Sequence, residues 1–382
     1  MIASFIEKIQ HAAAHQQPLA IRGSGSKDFY GGASHGTTLD VSRHAGIIDY
    51  APSELVITAR AGTPLKDIEQ TLNAQNQMLA FEPPHFGENA TLGGCIASGL
   101  SGPRRPYSGA VRDFVLGVNM LDGRGQQLKF GGQVMKNVAG YDVSRLMTGS
   151  LGTLGVLLDV SLKVLPLPAA SLNLRFELDE KNAIEHMNKL AGQSLPLAAS
   201  CWHGGLLTVR LEGTARALQT SHDKIGGEIV SDGIEFWQRL REQQAIFFQS
   251  SLPLWRLSIP STTAPLNTIS VRAEPVEAQE STHISTSSMR TDFLTKRDSS
   301  IANSQLIEWG GALRWLHSDA PASEIRSLAA AANGQATLFR GGDKNVGVFH
   351  PLPPVLLALQ KRIKHTFDPH GIFNPQRMFT EF

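Results

Sequence analysis

Short clusters of glycine with serine and threonine are the part of this 382-residue chain whose spacing could do chemistry. Across residues 83–156, glycines gather at 87–94, 99–109, 131–140 and 149–155, and two of these clusters carry Thr-Leu-Gly. Each glycine weakens a regular helix or strand, so this density predicts loops rather than core. Loops of this kind expose bare N–H groups and let a backbone approach closely, as a large, flat, phosphorylated ligand requires. A further cluster, Gly23-Ser24-Gly25-Ser26-Lys27, follows residues 18–22 (PLAIR), which read as a short buried strand. It resembles a dinucleotide turn, with Asp40 ending a later strand as an acidic ribose ligand would. However, the third glycine position is Asp28, and residues 29–38 (FYGGASHGTT) cannot form the crossover helix such a fold needs.

Other chemically capable residues are sparser. Lys136 and Tyr141 stand beside glycines, where they could reach a phosphate or a ring edge, or could simply be a solvated lysine and a packed tyrosine. Arg104 and Arg105 have the guanidinium fork that suits a carboxylate, although loop arginines are more often solvated or ion-paired. His85 lies inside the glycine-rich span, and the remaining histidines show no metal-ligand spacing. Cys95 and Cys201 are the only cysteines, which excludes a disulfide framework and a cysteine-ligated iron–sulfur cluster within the chain. A net charge of +1 gives no electrostatic case for nucleic acid or an anionic membrane.

The elements that must position these loops follow from periodicity. An amphipathic helix built on Ile2, Phe5, Ile6 and Ile9 runs to about His15; its early charges argue against a signal peptide and for the cytoplasm. Strands are expected at 18–22, 39–41 and 55–60, and a helix opening at Thr63-Pro64 with Thr63 as its cap and Leu65, Ile68 and Leu72 as its buried stripe. Residues 114–121 and 126–130 form a hairpin through Asp122-Gly-Arg-Gly125, and 157–164 is a last strand. These elements divide into one lobe over 15–80 and a second over 85–165. After Pro166 and Pro168 the pattern becomes an ordinary α+β alternation: strands at 172–178, 206–211, 254–259, 306–309, 312–316 and 336–339, and helices at 183–190, 215–225, 236–248, 325–332 and 355–367. Residues 262–304 are rich in Ser and Thr, with few large apolar side chains, and are expected to be a disordered insert.

The ordered set 90–94 (ATLGG), Ser108-Gly109 followed by 113–117 (DFVLG), 136–142 (KNVAGYD) and 149–155 (GSLGTLG) resembles the vanillyl-alcohol-oxidase type flavoproteins, the FAD-linked oxidases. Over nearly the whole chain outside the insert, the similarity is to the FAD-binding subunits of bacterial glycolate oxidases. The resemblance implies a two-lobed PCMH-type FAD-binding domain (1–168), an α+β cap domain (169–366) and a C-terminal segment (367–382) returning to the first domain. It makes 23–27 a pyrophosphate loop and implies FAD contacts at Gly23, Ser24, Gly25, Ser26, Lys27, Pro84, Thr91, Leu92, Gly93, Gly94, Ser98, Ser108, Gly109, Asp113, Gly155, Val156 and Asn374. The FAD is expected to be noncovalent, because the 23–27 loop holds no His or Cys.

The His-bearing cap segment of the family's catalytic subunits has no counterpart here; Gly341-Gly-Asp343 is at most a remnant. The resemblance therefore implies one flavin subunit of a larger glycolate dehydrogenase. A homologous catalytic flavin subunit and an iron–sulfur subunit would be its partners, and glycolate or D-lactate the substrate of the complex. Attachment to the inner membrane would come only through that complex. Trp237, Trp309 and Trp315 are candidates for a subunit contact, with burial in the core as the competing reading. Two other classes stay open: a free-standing FAD-dependent 2-hydroxy-acid dehydrogenase, and a protein whose FAD is structural.

Overall fold

The computed structural model describes residues 1–132, 141–266 and 305–382. These form two compact units. One comprises Met1–Ala170, Ile234–Gln244 and Asp343–Phe382; the other comprises Ser171–Gly233 and Ala245–Gly342. The helix Gly233–Arg241 and the C-terminal helix Pro354–Phe367 therefore pack chiefly with the first unit, although both fall inside the stretch expected as cap.

In the first unit, the N-terminal helix Ile2–His15 buries Phe5, Ile9 and Ala12, the stripe its periodicity predicts. Strand Leu19–Arg22 pairs in parallel with Thr37–Asp40, and the connection is a glycine-rich loop instead of a helix. Phe373 bridges to Leu19, so the C-terminal segment extends this small sheet; Leu19 N–H donates to Ile372 O at 2.7 Å and Asn374 N–H to Leu19 O at 2.9 Å.

A five-stranded antiparallel sheet carries the rest of this unit, in the order Ile47–Ala51, Val56–Arg60, Val156–Lys163, Val115–Leu121, Gln127–Gly131. The division into consecutive lobes at 15–80 and 85–165 is thereby corrected. Val56–Arg60 buries four successive residues, so both its faces are covered, and its two edges pair with Ile47–Ala51 and Val156–Lys163. The helix Leu65–Asn73 buries Leu65, Ile68 and Leu72 as expected. Its cap differs: Pro64 takes the N-cap position, and the Thr63 hydroxyl accepts from Gly46 N–H and donates to Arg60 O. The hairpin turn is held by Asp122, whose Oδ1 accepts from the N–H of Arg124 and of Gln126.

The second unit is built on an eight-stranded sheet whose centre runs Leu206–Gly213, Leu197–His203, Gln305–Glu308, Leu313–His317, Leu254–Ser258. Leu197–His203 was not expected as a strand. Ala198, Ala199, Ser200, Cys201 and Trp202 are all buried, so both faces are covered and no alternation marks it. The helix expected over 236–248 ends at Arg241; Gln243 adopts a positive φ and a single 3₁₀ turn, Ile246–Gln249, follows. Trp237, Trp309 and Trp315 are buried, which removes them as an exposed contact surface. Trp315 donates its indole N–H to Glu308 at 2.7 Å, and the Arg256 guanidinium lies over the Trp309 ring. Of the expected insert, residues 267–304 lie outside the described residues.

Candidate functional site

One cleft in the first unit gathers residues from four separated parts of the chain. It is lined by the turn 22–28, by Ser34, Gly36 and Thr38, by Thr91, Gly94 and Ala97, and by Leu151, Asn374 and Arg377. The parallel pairing of Leu19–Arg22 with Thr37–Asp40 sets the turn at the C-terminal end of its strand. Among the described residues, no backbone N–H from Gly23 to Lys27 donates to another group of the protein. These are N–H groups without acceptors around a shared cleft, the arrangement that takes an anion.

Internal bonds keep this turn open. Arg22 O accepts from Val41 N–H at 2.9 Å and Gly25 O from Asp28 N–H at 3.0 Å, which turns the N–H groups of Gly23 and Ser26 away from those partners. A Cβ on Gly23 would lie 2.5 Å from Thr91 Oγ1, so the turn and the neighbouring helix touch at a point where no side chain fits. That helix, Leu92–Ser98, is capped by Thr91, whose hydroxyl accepts from Gly94 N–H at 3.2 Å. Gly93 N–H donates to Ala61 O at 2.7 Å and fixes the helix to the five-stranded sheet.

The C-terminal segment closes the cleft. Asn374 is buried; its Oδ1 accepts from Ile21 N–H at 2.8 Å and its amide donates to Leu151 O at 2.6 Å. Arg377 donates to Asp28 O at 3.1 Å and to the carbonyl of Gly32, and burial pulls its guanidinium below the ordinary arginine range against the opposing charge of Asp28. Lys344 donates to Phe29 O and Gly31 O. The carbonyls of residues 27–32 are thus partly taken by cations, while the N–H groups from Gly23 to Lys27, residues that line the cleft, are left without an acceptor in the protein.

Lys27 points inward and donates to His85 O at 3.1 Å; burial lowers the pKa of its ammonium, with the neighbouring Cys95 and Glu242 opposing. The loop carrying His85 is anchored by Glu242, which accepts from the N–H of both His85 and Phe86, and His85 Nε2 meets Glu69 at 3.2 Å. Burial pushes the Cys95 thiol up to about 12.

Of the expected contact residues, Gly23, Ser24, Gly25, Ser26, Lys27, Thr91, Gly94 and Asn374 come together on this cleft. The others do not line it. Pro84, Leu92, Gly93 and Val156 are buried, and Ser98 returns its hydroxyl to Cys95 O. Ser108 donates to Ala80 O, Asp113 accepts from Ala110 N–H behind Gly109, and Gly155 packs against Met120 and Leu121. Arg104 is ion-paired with Glu82, Arg105 is exposed, and Tyr141 is 96% exposed; Lys136 lies outside the described residues. Sequence reasoning missed Arg22, Asp28 and Arg377. The only signal was position: the first two flank the glycine turn, and Arg377 follows Asn374 by three residues.

Residues 2–131 match the FAD binding domain family. The chain is 46% identical over 378 residues to "Glycolate oxidase subunit GlcE" of Escherichia coli (strain K12), covering 99% of this chain and 97% of that protein. It is 34% identical to a D-lactate dehydrogenase of Anaerostipes hadrus over 36% of this chain and 29% of that one. It is 29% identical to "Glycolate oxidase subunit GlcD" of Bacillus subtilis (strain 168) over 42% of this chain and 34% of that one. Two solved structures of alkyldihydroxyacetonephosphate synthase share the fold, with TM-scores of 0.61 and 0.62, covering 97% and 98% of this chain and 73% and 75% of theirs, at 14% and 13% identity.

Proposed function

Because this chain belongs to the FAD-linked oxidases, and within them to the family of glycolate oxidase FAD-binding subunits, we propose that it binds FAD noncovalently as one subunit of a multi-subunit glycolate oxidase. The observation that carries this is the turn 23–27, with its N–H groups free, in a chain alike over its whole length to a glycolate oxidase subunit. The residues fit the cofactor. A diphosphate is the anion that a run of unpaired N–H groups suits, and the glycines at 23 and 25 leave the approach clear. Bound FAD supplies two-electron oxidation of a 2-hydroxy acid, glycolate to glyoxylate in this reading, and release of those electrons to an acceptor.

The chain's own residues hold and exclude. The 23–27 turn neutralises the diphosphate, Thr91 keeps Gly94 and its helix at the cleft, and Asn374 locks strand 19–22 to the loop at Leu151. No His, Cys or Tyr lines the cleft among the described residues, which supports noncovalent attachment. Both cysteines are buried and too few to ligate a cluster, which is consistent with an electron acceptor on another subunit. No helix among the described residues is long and apolar enough to cross a membrane.

The test is co-expression with the neighbouring candidate subunits and purification through this chain. A yellow complex that reduces dye with glycolate, and whose flavin enters the supernatant on acid precipitation, is expected. Full glycolate-dependent dye reduction by the chain alone would refute the subunit reading, and flavin left in the acid pellet would refute the noncovalent one.

A further inference from the structure

Three cations line the cleft: Arg22, Lys27 and Arg377. Two have fixed duties. Lys27 is turned to His85 O and Ser26 Oγ, and Arg377 to the carbonyls of Lys27, Asp28 and Gly32. Arg22 differs. Its Nε donates to Asp28 Oδ2 at 2.8 Å and its NH2 lies 2.6 Å from the same oxygen, with the two side chains 52% and 51% exposed. A carboxylate beside a cleft that takes an anion would repel that anion unless a cation covers it, and here Arg22 covers Asp28. The guanidinium also rests on Gly25: a Cβ there would fall onto Arg22 NH2 and come within 2.8 Å of Cζ, at a backbone φ of +81°. The base of Arg22 is fixed by its carbonyl bond to Val41, beside the free N–H of Gly23.

We propose that Arg22 is a diphosphate-binding residue, parked across the turn by Asp28 and transferred to the cofactor's diphosphate when FAD binds. The inference rests on the FAD reading above. An ion pair this exposed is weak and exchanges readily. A diphosphate offers more negative charge than one carboxylate and matches the guanidinium fork in two places. Arg22 would thereby favour FAD over a flavin with a single phosphate, which has fewer charged oxygens to divide between the turn and the arginine.

The full chain stripped of flavin, titrated with FAD by fluorescence at several salt concentrations, tests this. Arg22→Met should raise the Kd about tenfold or more and flatten its salt dependence, because a screened charge contact has been removed. Arg22→Lys should regain part of the affinity, and Asp28→Asn should bind FAD more tightly than the parent by releasing Arg22. An Arg22→Met protein that binds FAD as the parent does, or more weakly with an unchanged salt slope, overturns the proposal. Weaker binding by Asp28→Asn overturns it too, since the pair would then be a clamp on the turn. A parent chain that binds no FAD at all overturns instead the cofactor reading on which it stands.

Discussion

Gly23→Ala is the perturbation that most directly probes how the cleft is assembled. The added methyl would lie 2.5 Å from Thr91 Oγ1, where real Cβ contacts begin at about 3.0 Å, so the hydroxyl must retreat by half an ångström. The threonine can do so only by turning away from Gly94 N–H, the bond that caps helix Leu92–Ser98. Losing such a cap costs about 0.5–2 kcal/mol. Gly94 lines the cleft, so that cost should appear as a roughly two- to thirtyfold rise in the Kd for FAD. Thermal stability is the poorer readout, because Gly→Ala also stiffens the unfolded chain by about 0.4–1 kcal/mol with the opposite sign.

The decisive control is Thr91→Ala. Without the hydroxyl and methyl, the nearest remaining atom to the new Cβ is Thr91 Cβ at 3.5 Å, an ordinary contact. Gly23→Ala should therefore cost FAD affinity in the parent and almost nothing on the Thr91→Ala background, a coupling of about 1 kcal/mol. Full FAD affinity in Gly23→Ala, or losses that simply add in the double variant, would refute the reasoning. By the same geometry, a substitution at Gly94 meets only Thr91 Oγ1 at 3.3 Å and no positive φ, whereas any side chain at Gly109 is strained at φ +107°.

Asp368→Ala should destabilise the first unit by about 3–5 kcal/mol, because Lys364 is buried with its ammonium 2.6 Å from that carboxylate and otherwise only carbonyl partners. A thermal melt that shifts by less than a few degrees would contradict this. Cys95 and Cys201 should both stay silent to a disulfide reagent at pH 8 in the folded protein and both react in denaturant, since burial raises the two thiol pKa values. The folded pKa of Cys95 lies above the unfolded one, so its share of stability is complete below about pH 9. That share is lost as pH rises from 9 towards about 12, which a series of denaturant melts would follow.

What the sequence determined was local and periodic. The stripe of Leu65, Ile68 and Leu72 set one helix face, the pattern around Asp122-Gly-Arg-Gly125 set a hairpin, and the 23–27 glycines set a turn that no helix could continue. A turn able to leave N–H groups without acceptors was legible too, because an N–H needs no side chain to be read. The tertiary structure decided what sequence distance conceals. Val56–Arg60 joined a strand a hundred residues away, Leu197–His203 was hidden because burial on both faces erases alternation, and Arg377 reached the turn only because Phe373 pairs with Leu19. Arg22 and Asp28 are six residues apart, and nothing along the chain pairs them. Their ion pair across the cleft appears only once the fold has brought the turn, the helix Leu92–Ser98 and the C-terminal segment together.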